Sequence, residues 1–123
     1  MRRAVITLLA CAVAILLPRG VTPAQAEPVA EVRAKAVVAF NEVDARLRAV
    51  FERVIAAAPE DTRAKMRKAQ RTFTLYRDAA ATAEAAIEQD ASAAAMAWLR
   101  TATRLTEGRI RDLEALLSTL RSP

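Results

Sequence analysis

Between residues 29 and 122 the chain contains one proline, Pro59, and one glycine, Gly108. Almost nothing in that stretch interrupts a helix, and its many alanines favour one strongly. Three amphipathic segments fill it. In the first, about residues 29–58, Ala36, Phe40, Val43, Leu47, Val50 and Val54 alternate steps of four and three and so share one helical stripe, widened by Val37 and Phe51. Pro59 closes this segment, because the residue before a proline avoids the helical region. The second, about residues 60–89, opens on Glu60 and Asp61, which suit the positive end of a helix dipole. Its stripe is predicted to be Met66, Ala69, Phe73, Tyr76, Ala80, Ala83 and Ile87. Asp90-Ala91-Ser92 offers a stop and a new N-cap. The third, about residues 93–120, aligns Met96, Leu99, Thr103, Thr106, Ile110, Leu113, Leu117 and Leu120. No strand pattern occurs. Short connections imply antiparallel sequence neighbours, so the expected fold is all-α, an elongated antiparallel three-helix bundle. The same periodicity permits coiled-coil pairing and leaves a homodimer open.

Residues 1–26 read differently. Arg2 and Arg3 precede an uncharged apolar run, Ala4 to Leu17, and Ala24-Gln25-Ala26 supplies the small residues of a signal-peptidase site. The run is short for a bilayer span of about 20 residues. The expected division is a cleavable signal peptide over 1–26 and a helical domain over 27–123, exported to the periplasm or secreted. A lipoprotein lipidated at Cys11 is the less favoured alternative, because apolar residues and not a polar tether follow that cysteine.

Cleavage would change the charge. The chain has 19 basic and 14 acidic residues, for +5. Losing Arg2, Arg3 and Arg19 and no acid leaves 16 against 14, or +2. That modest balance, with export, argues against a nucleic-acid partner. The domain would have neither Cys nor His. Disulfides, a histidine base, a cysteine nucleophile and ordinary zinc ligation are thereby excluded. No glycine-rich phosphate loop occurs. The chain reads as a non-enzyme without cofactor or metal.

One stretch carries a family pattern. Ala69-Gln70-Arg71-Thr72-Phe73-Thr74-Leu75-Tyr76-Arg77-Asp78-Ala79 resembles the AQR-aromatic-x-x-YRDA signature of the LprI-type lysozyme-inhibitor N-terminal-domain family. Leu105-Thr106-Glu107-Gly108-Arg109 is similar to its LTxxR motif, and Asp44-Ala45-Arg46-Leu47 with Phe51 to its first-helix pattern. The motif residues carried over are Gln70, Arg71, Phe73, Tyr76, Leu105 and Thr106. The family's usual cysteines correspond to positions near Lys35, Ala81 and Thr101, none of them Cys here. Arg48 stands where Asn is usual, and Phe73 where Trp is frequent. The resemblance implies an envelope or secreted helical domain, with lysozyme inhibition attributed to the family's named member.

Three further features stand beside the motifs, the first a set of charges that border the apolar seams. Asp44, Arg77, Asp78 and Arg109 read as an interhelical ion-pair network that fixes register, with a polar binding site as the other reading. Arg63, Lys65, Arg67, Lys68 and Arg71 crowd the start of the second segment against its dipole. They read as a solvated face or, in the functional alternative, as an anion-binding face of Arg63, Arg67, Lys68 and Arg71. Trp98 reads as a cover for the bundle end, with an exposed contact position as the alternative. Two functions follow. One is a protein-binding module whose partner is lysozyme or another envelope protein, for which Glu84, Glu88, Asp90 and Glu107 would supply an acidic patch toward a basic lysozyme. The other is a structural or membrane-surface module that makes peripheral contact with anionic lipid or polymer through the basic face.

Overall fold

The computed structural model describes residues 23–122. It consists of three helices, α1 (Pro23–Ala57), α2 (Glu60–Ala85) and α3 (Ala91–Arg121), and no strand occurs among the described residues. The protein is an all-α three-helix bundle. Most of the expected signal segment, Cys11 included, lies outside the described residues.

α1 begins earlier than the periodicity suggested. Pro23 suits a first turn, where its missing N–H is no loss, and Ala24 and Ala26 favour helix. At 35 residues α1 is about 50 Å long. The turn to α2 is closed by Arg63, whose Nε donates to the carbonyl of Ala58 at 3.1 Å, and by Thr62, whose hydroxyl donates to the carbonyl of Pro59 at 2.8 Å. α2 stops at Ala85, four residues short of the expected end, because residues 86–90 reverse the chain. Asp90 then caps α3, accepting from the Ala93 N–H at 2.8 Å.

α3 is the central element. It packs closely on both α1 and α2, whereas α1 and α2 approach each other far less. The ring pair Phe40–Trp98 and the ion pair Arg46–Glu114 advance together along α1 and α3, so these helices run parallel. α2 runs antiparallel to α3, as the pairs Gln70–Arg109 and Glu84–Thr101 show. The core joins Leu47, Val50 and Val54 of α1 to Ile110, Leu113 and Leu117 of α3, with Phe51, Met66, Phe73 and Leu120 packed at its edge. Each such buried aliphatic side chain contributes about 1.5–3 kcal/mol.

The stripes expected on α1 and α3 face this core, except that Val37 is exposed. The stripe expected on α2 is rotated. Ala69 and Ala83 are exposed, Tyr76 is 60% exposed and Ile87, beyond the helix end, is 79% exposed. The inward face instead follows Met66, Gln70, Phe73, Arg77 and Ala81, with Arg77 and Ala81 fully inside. The reason is physical. An alanine-rich helix gains little from burying any particular alanine, so the contacts made by Arg77 and Phe73 set its rotation.

Candidate functional site

Arg77 is the polar centre of the bundle. Only 7% of the residue is exposed. Its Nη1 donates to Asp44 Oδ1 of α1 at 2.8 Å, and its Nε donates to Asp78 Oδ1 at 2.8 Å. Nη1 also lies 3.5 Å from the hydroxyl of Thr106 on α3, so one guanidinium touches all three helices. The Thr106 hydroxyl donates to the Ala102 carbonyl one turn back at 2.7 Å, which leaves its lone pairs free to accept. The guanidinium carbon sits 5.3 Å from the ring centre of Phe40, itself packed edge-to-face on Trp98 at 5.4 Å. Burial alone would lower the arginine pKa, but the hydrogen bonds to Asp78 and Asp44 outweigh it and hold the value above normal. No buried side-chain polar atom lacks a partner among the described residues.

Arg109 stands apart from this cluster. Its Nε donates to Gln70 Oε1 at 3.2 Å, and its guanidinium lies 5.7 Å from the Phe73 ring centre. The four charges expected to act together are therefore divided. Asp44, Arg77 and Asp78 share one centre, and Arg109 joins the motif residues Gln70 and Phe73 instead.

An open groove of about 540 Å³ runs beside that second centre, between α2 and α3. Phe73, Tyr76 and Leu105 line it with Arg104, Arg109, Arg111 and one acid, Asp112. Gly108 also borders it, and a Cβ there would meet only Arg111 Nη2 at 3.8 Å, so the glycine is not needed for helix approach. Leu75, on the exposed side of α2, is 73% exposed beside Tyr76. Tyr76, expected on the core stripe of α2, lies instead on the rim of this groove.

The basic face is divided as well. Arg63 is committed to the α1–α2 turn and to Glu60. Arg67, Lys68 and Arg71 are exposed and make no ion pair among the described residues. The four acids have separate occupations. Glu84 accepts from Thr101 and from Arg104, Asp90 caps α3, Glu88 is exposed beyond the end of α2, and Glu107 lines the α1–α3 groove. No group of three or more potential metal ligands occurs among the described residues, and no described helix is long and apolar enough to cross a membrane.

The geometry defines an all-α bundle centred on a buried arginine, with an aromatic and basic groove on one side. The family described as lysozyme inhibitor LprI matches residues 22–113, a span that enters all three helices, and the chain belongs to this family. No curated protein and no solved structure matches it. The positions where the family resemblance places later cysteines, Ala81 and Thr101, are both buried, and Thr101 donates to Glu84. Small side chains and a hydrogen bond occupy that part of the α2–α3 contact.

Proposed function

We propose that this chain is an exported binding domain that acts on a protein partner, with lysozyme the first partner to test, and that the α2–α3 groove makes the contact. The observation that carries this reading is the concentration of motif residues. Phe73, Tyr76, Leu105 and Arg109, from two sequence motifs far apart in the chain, line one open groove in a member of the LprI lysozyme-inhibitor family. Tyrosine and arginine are the side chains that most often dominate interface energetics, and the groove offers both on rigid helices.

A net basic domain gains no long-range attraction toward a basic lysozyme. Local complementarity replaces it. Glycoside hydrolases of this kind work with two carboxylates about 5 Å apart in their cleft. Three arginines against the single acid Asp112, beside an exposed tyrosine and leucine, leave the groove net basic and suit such a lining, although Arg104 already pairs with Glu84.

The test is a lysozyme turbidity assay with the purified chain, run against an unrelated helical protein. Saturable, dose-dependent inhibition is expected. An unchanged rate at large molar excess overturns the reading for that class of lysozyme.

A further inference from the structure

A second groove, of about 230 Å³, lies over Phe51 of α1 and is walled by Arg67, Gln70, Arg71 and Thr74 of α2. We propose that it is an oxyanion site, built to take a phosphate group whose organic body lies on the Phe51 ring. It is independent of the lysozyme contact and sits on the α1 side of α2.

The argument begins with what the groove presents. Arg67 and Arg71 are one turn apart, so their guanidinium groups emerge on one side of the helix. Neither forms an ion pair among the described residues, and no carboxylate lines the groove. Like charges at this spacing repel. The other two arginines of α2 are paired, Arg63 with Glu60 and Arg77 with Asp44 and Asp78. Gln70 adds to the contrast. Its Oε1 accepts from Arg109, and its Nε2 is a donor. The Thr74 hydroxyl already donates to the Gln70 carbonyl at 3.2 Å and need not compete. The lining thus offers the donors of two guanidinium groups and one amide and lacks a counter-charge. Paired guanidinium forks match a tetrahedral oxyanion, and Phe51, half-buried at the core edge, gives the rest of the ligand an apolar floor. A free phosphate compound and a phospholipid headgroup share this chemistry.

The experiment is an NMR titration of the ¹⁵N-labelled chain with inorganic phosphate, against sodium chloride at matched ionic strength, plus sedimentation with vesicles of anionic or of zwitterionic phospholipid. Saturable shifts of the Arg67 and Arg71 Nε–H signals and the Gln70 side-chain amide are expected, without matching shifts at Arg33. R67Q and R71Q should each weaken binding about tenfold, since each removes a charge-assisted hydrogen-bond donor. K68Q, which alters the same helix outside the groove, should leave binding within about twofold. All three side chains are exposed, so the fold should survive each change, and helical circular dichroism verifies it. Phosphate shifts without vesicle binding assign a soluble ligand. Vesicle binding that R67Q and R71Q abolish assigns a headgroup. Absence of both, or equal losses in K68Q and R71Q, overturns the site and leaves only a diffuse basic surface.

Discussion

Arg77 Nη1 donates to Asp44 Oδ1 at 2.8 Å, and this bond ties α2 directly to α1, two helices otherwise joined mainly through α3. Because Arg77 is buried and Asp44 only partly exposed, D44A should cost about 1–3 kcal/mol, below the 3–5 kcal/mol of a fully buried pair. R77M should cost more, since it also removes the bonds to Asp78 and Thr106. A D44A/R77M double variant should be less destabilised than the sum of the two single changes. Urea unfolding of the full cycle measures the coupling, and strict additivity would remove the bond from the account. The sign with pH is fixed. A raised arginine pKa stabilises the fold at every pH below its ordinary value and is lost only as pH rises through the still higher folded value. Arg77 therefore contributes no change in stability between neutral and moderately alkaline pH.

Tyr76 is exposed on the rim of the α2–α3 groove. Y76A should leave stability within about 0.5 kcal/mol, as exposed substitutions do. The same change should weaken lysozyme inhibition about tenfold or more if Tyr76 anchors the contact. Thermal unfolding and the turbidity assay on one preparation separate the two effects. Full inhibition by Y76A would exclude Tyr76 from the interface.

Ile110 and Ile87 both look like core residues in the sequence, yet one is 2% and the other 79% exposed. I110A should cost about 2–5 kcal/mol through lost burial and the cavity left behind. I87A should change stability by no more than about 0.5 kcal/mol. Comparable losses in denaturant midpoint would contradict the placement of the α2–α3 turn.

Gly108 lies in the interior of α3 without a positive φ, and a Cβ there meets only a flexible arginine tip. G108A should therefore stabilise the bundle by about 0.5–1 kcal/mol. For a domain of this size that raises Tm by roughly 2–8 °C. A fall in Tm would show that the groove wall needs the missing methyl's space.

The three helices and their order were legible because large side chains mark two of them unambiguously. In α1 and α3, Leu, Ile and Val at three-four spacing leave one solution for the buried face. α2 offers Ala69, Ala80 and Ala83 at the same spacing, and alanine fits either side of a helix at little cost. Its true rotation was written in Gln70 and Arg77, polar residues that a hydrophobic count passes over. The Met66, Gln70, Phe73, Arg77, Ala81 series has helical spacing, and reading it required treating an arginine as a core residue. The site was half legible for the same reason. Position beside the apolar seams groups Asp44, Arg77 and Arg109, with Asp78 next to Arg77, and the structure keeps all but Arg109 in one centre. The pairing of Arg109 with Gln70 and Phe73 depends on the α2 rotation. The groove over Phe51 could not be read at all, because it exists only where two weakly apposed helices leave a gap.

The central placement of α3 has a consequence for synthesis. A ribosome delivers α1 and α2 first, and each then presents an apolar face with almost nothing to cover it, since their shared partner is still inside the exit tunnel or not yet made. Neither early helix can settle as a stable unit, because isolated helices draw most of their stability from tertiary packing. Commitment to the native state waits for the last third of the chain, and a product truncated within α3 loses the whole domain rather than one helix of it.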